Sequence, residues 1–484
     1  MKRQTYVLFF FIITLISCSD EHLVLNNDLE SEKELKFSMD GEYDLLGFGY
    51  DMTGRSFDPN DSRENVIDVE RMKKEGVDKK YITPVGVTSS ESKLIVGMNR
   101  VEITKTQTKK YNFGVTGSGS KDSANYFKGE VSTNPTNTNT LSHSYAAHRV
   151  MIAYKRYKFN KDTEFLKNYL TDDFKEDLKT FSGEAIINKY GTHVLLDITL
   201  GGKLDIKYSC INQSIFSKKK SSVAASAKFA ITASLGINVG YDGVTEESLK
   251  KDNINETLFI KSYGGSPNAA ILSTINLTAG QGQKVDIDKW VNSCDFENYP
   301  QRMLIIDVEP TTGAIPIWEF ASSEADKTKL KNALRNYISN RQYKGVVQGL
   351  YRHYKNATQR PWCTYLNTSQ FIFGNPLSMG ICLGDMYSDW VEGTVPLYHF
   401  YSPADDDDKY FIDLKYVGSS DQYKGIIGYV YESRSSKANV PVTWYWIKSA
   451  RCHICNSSIT GSTISGSSKG INFYLMTPPN YISW

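Results

Sequence analysis

The sequence predicts an α+β chain whose last third is β-rich, and three observations carry that prediction. Segments 163–181 and 323–338 place apolar residues at helical spacing, while 223–241 alternates apolar residues with small or polar ones, as a strand does. Five of the seven tryptophans, with most of the short aromatic bursts, fall after residue 345, where no long helical pattern occurs. The composition agrees: 484 residues, 40% hydrophobic and 23% charged, with 31 Tyr, 35 Gly and 14 Pro. That balance suits roughly two to four domains of about 150 residues each. It excludes a polytopic membrane protein, a collagen and a fully disordered chain.

Residues 1–17 read as a signal peptide. Lys2 and Arg3 precede an apolar run from Tyr6 to Ile16, and a small residue, Ser17, stands before Cys18. The run is too short, and too basic at one end, to favour a permanent span. Leu15-Ile16-Ser17-Cys18 resembles the bacterial lipobox, which implies that Cys18 is lipidated and becomes the first residue. Ser19, Asp20 and Glu21 resemble the acidic surface-export signal of Bacteroides-type lipoproteins. Residues 18–40 then form a polar, acidic tether. Without Lys2 and Arg3 the chain holds 54 basic and 54 acidic residues. A neutral balance gives no overall attraction to nucleic acid, so that partner class is excluded.

In the next region, 41–345, strand-like and helix-like segments mix. Leu166, Leu170, Phe174 and Leu178 form one stripe of a helix over 163–181. Leu330, Leu334, Tyr337 and Ile338 form another over 323–338, with Ser323 and Asp326 at its capped start. Glu184 to Tyr190 is a short helix ended by Gly191, because a left-handed turn costs glycine little. Val194 to Leu200 reads as the strand that follows. Gly201 and Gly202 then permit a sharp bend or a close backbone approach.

Tyr190-Gly191-Thr192-His193-Val194, six residues, then Gly201-Gly202 resembles the signature of the membrane attack complex/perforin (MACPF) family. The family more often has Phe or Tyr where Val194 stands. Tyr263-Gly264-Gly265 resembles its later glycine turn. Ser144-Tyr145, leading into Arg149 and Tyr154, resembles the strand after its first membrane-inserting segment. The resemblance covers about residues 40 to 345. It implies a bent antiparallel sheet flanked by helical clusters that unfurl into two β-hairpins, one before the signature and one after it. His193 beside Asp197 lacks the strand-turn-helix nucleophile of a Ser/His/Asp enzyme. It reads as a hydrogen-bonded corner residue, and no catalytic residue, cofactor or metal is expected.

The residues independently support the second hairpin. Val223, Ala225, Ala227, Phe229, Ile231, Ala233, Leu235, Ile237, Val239 and Tyr241 are all apolar or aromatic, and the positions between them are small or polar. Period two suits a strand with one face to lipid and the other to water. About 9–11 tilted residues cross a bilayer, so the run is long enough. It is equally the pattern of a half-buried strand in a soluble sheet. Its alanines favour helix, which suits a segment packed as a helix before insertion and as a strand after it. The first candidate, 103–142, is thinner: Tyr111, Phe113 and Val115 alternate briefly, and Asn134 to Thr140 make a polar tip or an ordinary loop. Lys218-Lys219-Lys220 either meet anionic head groups or form a solvated face. A lone hairpin in lipid would expose unpaired backbone groups, so a pore reading entails a homo-oligomer on its target membrane.

Residues 346–484 read as a separate β-rich targeting domain. The bursts Phe371–Phe373, Pro396–Tyr401, Lys409–Phe411, Gly428–Tyr431, Val440–Tyr445 and Asn472–Tyr474 resemble degenerate β-type modules of extracellular bacterial proteins. Their aromatics suit core packing or stacking on a glycan. Asp405 to Asp408 read as a solvated acidic turn rather than a calcium loop. Beyond Cys18 there are six cysteines, Cys210, Cys294, Cys363, Cys382, Cys452 and Cys455. An even number in an exported chain suggests disulfides. Cys452-His453-Ile454-Cys455 lacks the second pair that a zinc site needs and reads as a local bridge or part of two bridges.

Together these readings describe a surface-exposed or released outer-membrane lipoprotein, resembling the MACPF lipoproteins and secreted antimicrobial proteins of gut Bacteroidales. The resemblance implies an oligomeric pore-former acting on related bacteria, with a surface receptor or glycan held by the C-terminal domain. The alternative is a non-lytic adhesin or glycan-binding lipoprotein with the same fold.

Overall fold

The computed structural model describes residues 42–54, 57–108, 143–212, 220–239, 253–277, 284–341, 345–356, 360–368, 380–391 and 393–478. The expectations for the signal, Cys18, the tether, segment 109–142, Lys218, Lys219, Tyr241 and Phe371–Phe373 lie outside these residues.

The chain opens with β1 (Phe48–Tyr50), β2 (Ser62–Asn65), α1 (Val69–Lys74), α2 (Asp78–Tyr81), β3 (Ile82–Val85), β4 (Ser90–Glu91), β5 (Ile95–Gly97) and α3 (Arg100–Thr108). A long strand β6 (His143–Phe159) leads to α4 (Thr163–Leu166), α5 (Asp172–Thr180), α6 (Gly183–Tyr190), β7 (His193–Leu195) and a second long strand β8 (Asp197–Asn212). Then come α7 (Lys220–Leu235), β9 (Asn253–Tyr263), β10 (Leu272–Asn276), α8 (Asp288–Ser293), β11 (Leu304–Val308), β12 (Ala314–Pro316) and α9 (Glu324–Arg341). The central sheet is antiparallel, in the order β10-β9-β8-β6-β3, with β4 and β5 also on the outer edge of β6 and β11 on β8. A smaller sheet runs β12-β7-β1-β2. Helices and an antiparallel sheet segregate in this way in the α+β class.

The helix expected over 163–181 is instead two helices. Thr171 takes an extended conformation and its side chain accepts a hydrogen bond from Phe174 N, so it caps α5 and ends continuity with α4. All four stripe residues, Leu166, Leu170, Phe174 and Leu178, are nonetheless buried. α9 starts as read: Ser323 Oγ accepts from Asp326 N at 3.0 Å, and Leu330, Leu334, Tyr337 and Ile338 are buried. They share a core with Ile186 and Ile187 of α6 and with the small sheet. Each such buried side chain contributes about 1.5–3 kcal/mol. α6 approaches α9 closely, because a Cβ on Gly183 would lie 2.8 Å from Ala333 Cβ.

The strand expected over 194–200 is also split. His193–Leu195 pairs with β1 and β12, whereas Asp197 onward joins the central sheet.

The C-terminal strands are β13 (Val347–Asn356), β14 (Arg360–Asn367), β15 (Ile381–Tyr387), β16 (Val395–Ser402), β17 (Asp407–Phe411), β18 (Gln422–Val430), β19 (Val440–Ile447), β20 (Cys452–Ser457) and β21 (Ser467–Leu475). They form one sheet in the order β14-β13-β15-β18-β16-β17 and another in the order β20-β19-β21. Leu350, Leu383, Leu397, Val442 and Phe473 from both sheets share one core. The acidic turn between β16 and β17 is not merely solvated. Asp405 pairs with Arg451 at 2.6 Å, Asp406 accepts from Tyr401 at 3.0 Å, and Asp408 meets His399 at 2.6 Å. Asp407 is buried and takes both His453 N and His453 Nδ1. The turn thus fastens β20 to β16 and β17.

The local Cys452–Cys455 bridge does not form. Cys294, Cys382 and Cys455 carry free thiols. Burial pushes the Cys455 thiol up to about 12, so it packs as a small apolar residue. No described helix is long and apolar enough to cross a membrane, which bears on helical spans only.

Candidate functional site

Ser182 caps α6 through a bond from Ala185 N at 3.2 Å, and α6 ends at Gly191 with φ +79°. A Cβ there would lie 2.6 Å from the Tyr50 backbone, so a side chain is excluded both by conformation and by space. Tyr190 is buried on Phe174 and donates to Asp177 Oδ2 at 2.7 Å. Burial, with that carboxylate, pushes the Tyr190 hydroxyl well above the usual phenol range.

Thr192 is the knot of this corner. Its Oγ1 donates to Tyr50 O at 3.0 Å and accepts from Met52 N at 2.9 Å. His193 Nδ1 lies 2.9 Å from the same oxygen. Both residues are fully buried. The contacts join the loop after β1 to β7 and fix the orientation of the corner. Thr192→Val keeps the shape but strands Met52 N–H and removes the contact to His193 Nδ1. Its expected cost is about 1–3 kcal/mol, read as a lower denaturant midpoint at unchanged slope.

The hinge lies ten residues on. Up to and including Gly201, β8 pairs with β11; from Lys203 onward it pairs with β9. Gly201 and Gly202 stand where the partner changes. β6 carries its register shift opposite, between Ala153 and Lys155. A Cβ on Gly201 would fall 2.1 Å from Ile152 O, and one on Gly202 would fall 2.8 Å from Cys294 Sγ. Gly264 and Gly265, with φ +72° and +77°, end β9 beside them; a Cβ on Gly264 would lie 2.7 Å from Gly201 O. The bed made by these glycines receives Trp290 of α8, which is fully buried and donates Nε1–H to Gly264 O at 2.9 Å. Trp290 was not singled out from the sequence. A lone tryptophan in a polar stretch was its only signal.

Next to the hinge lies a charged layer that the sequence also hid. Lys203 is fully buried, 4.2 Å over the Tyr263 ring and 3.7 Å from Asp205. Arg149 Nε pairs with Asp205 at 2.5 Å. Burial would raise the Asp205 carboxyl, but the Arg149 guanidinium and Lys203 ammonium outweigh it and hold it well below the usual carboxylate range.

Beyond the hinge, the alternating run is a helix. α7 lies on β8 and β9: Val223, Ala227, Ala230, Ile231 and Leu235 share a core with Leu204, Ile206, Tyr208, Leu258 and Ile260. Ala225 is buried too, whereas Phe229 is 46% exposed and Ala233 is exposed. Past the helix, Val239 is buried and Ile237 partly so, both on the same core. Asn253 Nδ2 donates to Ser226 Oγ at 2.7 Å and fastens α7 to the start of β9. The packed arrangement therefore buries Val223 to Ala227 and then Ala230, Ile231, Ser234 and Leu235, a helical pattern that leaves Phe229 and Ala233 of the odd-numbered row outside. One run satisfies two periodicities: small residues on every side let the helix pack closely, while the odd positions keep an unbroken apolar row.

A bent antiparallel sheet, with a glycine hinge, a wedged tryptophan and a small-residue helix packed beyond it, defines the architecture of the site. The MAC/Perforin domain model matches residues 38–346, more than half of the sequence, and the chain belongs to that family. Its fold is the perforin-like one, related to that of pore-forming toxins. No curated protein matches it in sequence. Among solved structures, a MAC/Perforin-domain protein of Bacteroides thetaiotaomicron is 18% identical, with a TM-score of 0.48 over 66% of this chain and 63% of that one. The chain thus spans less than two thirds of that protein's length. GNIP1Aa from Chromobacterium piscinae is 12% identical, with a TM-score of 0.45 over 89% and 81% of the two chains.

Proposed function

We propose that this protein is a pore-former: copies assemble on a target membrane and insert two β-hairpins each, one of them built from residues 223–241. The observation that supports this most is α7. Its residues pack as a helix on the hinge-bearing sheet, yet read in sequence as a strand with one apolar face. A half-buried strand of a soluble sheet has no need of the first property, and an ordinary amphipathic helix has no need of the second. Closure into a ring satisfies the backbone that a single hairpin would leave unpaired in lipid.

In the same reading the chain is exported as a lipoprotein through Cys18, is surface-exposed or released, and acts against related bacteria. Residues 346–484 supply the receptor or glycan contact. Dye release from cells or liposomes, with rings counted by microscopy, tests the core of the proposal. Binding without release or rings would favour the non-lytic adhesin. For the anchor, Cys18→Ser is expected to leave the protein unprocessed or in the soluble fraction. A variant that is processed yet still fully membrane-bound after a high-salt wash would refute lipidation.

A further inference from the structure

We propose that Arg352 anchors a binding site for an oxyanion, a carboxylate or phosphate group, between the two C-terminal sheets, and that an acidic glycan supplies this group on a target cell. The glycan source rests on the reading of residues 346–484 as the recognition domain; the anion site does not. Two lysine or arginine side chains are fully buried among the described residues, Lys203 and Arg352. Lys203 has the Asp205 carboxylate at 3.7 Å. Arg352 is 1% exposed, and no carboxylate pairs with it among the described residues. A guanidinium cannot shed its proton to escape this position, and a buried charge without a counter-charge is strongly unfavourable.

The guanidinium reaches from β13 to β20. Its Nη1 donates to Cys455 O at 3.2 Å and to Asn456 Oδ1 at 2.8 Å, both neutral acceptors on the second sheet. Its Nε and Nη2 are buried and have no acceptor. These two nitrogens form one edge of the fork, the edge that grips a carboxylate or phosphate through two parallel bonds. Arg156 uses the same edge on Asp197, with Nε at 2.7 Å and Nη2 at 2.8 Å from its two oxygens. In Arg352 that edge is complete and unused. A second orphan stands next to Asn456: Ser457 is 4% exposed, and its Oγ has no partner. It lies on the same face of β20 as Cys455 and offers a further donor. The guanidinium is one side chain below the surface. Tyr354, two residues along the same face of β13, is 40% exposed, and its ring lies 6.0 Å from the guanidinium, at the limit of a cation–π contact. A sugar whose acid group enters the fork meets that ring at the rim.

The test titrates the full chain with acetate, inorganic phosphate, glucuronate and glucose at constant ionic strength. It follows the denaturant midpoint, which a ligand of the folded state raises. Phosphate and glucuronate should raise it to a plateau, and glucose should leave it unchanged. Arg352→Met keeps the length of the side chain without the fork. It should weaken anion affinity about tenfold or more, the worth of a hydrogen bond to a charged group. A midpoint that follows the anions equally in both proteins, or in neither, overturns the site. If Arg352→Met does not fold, hydrogen exchange on the unmodified chain decides. The amides of 352–354 and 455–457 must gain protection as phosphate is added, and unchanged exchange overturns the site. Glucuronate that binds no more tightly than acetate overturns the glycan source. Binding to target cells separates this proposal from the recognition reading. Wild type that binds while Arg352→Met does not supports the glycan source, and equal binding overturns it. Wild type that binds no cells overturns the recognition reading and the glycan source together, while the phosphate titration still decides the anion site.

Discussion

Trp290→Ala is expected to lower folding stability by about 3–5 kcal/mol, the range for emptying a buried aromatic site. The ring fills the bed above Gly202 and Gly265, and its Nε1 satisfies Gly264 O. Removing it leaves a cavity where β8 changes partner. The neighbours cannot collapse into it, because the glycines offer no side chains and the strands are fixed by their ladders. Trp290→Phe restores most of the volume but not the hydrogen bond, so it should fall between alanine and wild type. Denaturant midpoints measure both. A loss below about 1 kcal/mol for alanine would show that the hinge is not held by this wedge.

Asp205→Ala is expected to cost a similar amount, about 3–5 kcal/mol, because it leaves the buried Lys203 and the half-buried Arg149 without their carboxylate. The pH dependence separates this from a simple packing loss. The folded carboxyl titrates below its unfolded value of about 3.9, so its stabilisation is complete above that pH and is lost as pH falls toward the folded value. Wild-type stability should therefore drop below about pH 4 by a component that the variant lacks. Parallel stability profiles for the two proteins from pH 6 to 3 would contradict the assignment.

How much of this was legible in sequence depended on range. Ser182 to Gly191 was readable because a cap, a helical stripe and a terminal glycine lie within ten residues. Gly201 and Gly202 were visible as a pair, but not as the point where β8 exchanges β11 for β9, since their partners in those strands lie about 100 and about 60 residues away on the chain. The split at Leu196 was hidden for the same reason: Val194, Leu195, Ile198 and Leu200 are all apolar, and only their partners assign them to different sheets. Over 163–181 the apolar stripe was true and the continuity was not, because Thr171 serves equally as a helix residue or a cap. In the C-terminal region an even cysteine count suggested bridges, whereas the buried Cys455 is held by packing. The stretch 223–235 is the instructive case. Its alanines favour helix and its alternation favours strand, and a segment of this composition can satisfy either backbone.

That last point also supplies the decisive measurement. Single cysteines placed through 223–239 and labelled with a polarity-sensitive dye should report two patterns. Before assembly the pattern should follow the helix, with labels at Ala227 and Ile231 shielded and those at Phe229 and Ala233 in water. After assembly on target membranes it should switch to period two. Phe229 and Ala233 should brighten and join Ile231 and Leu235, which stay bright, while Lys228, Thr232 and Asn238 stay wet. A helical pattern that survives membrane binding, or a uniform response at odd and even positions, would contradict the claim that this segment inserts as a strand.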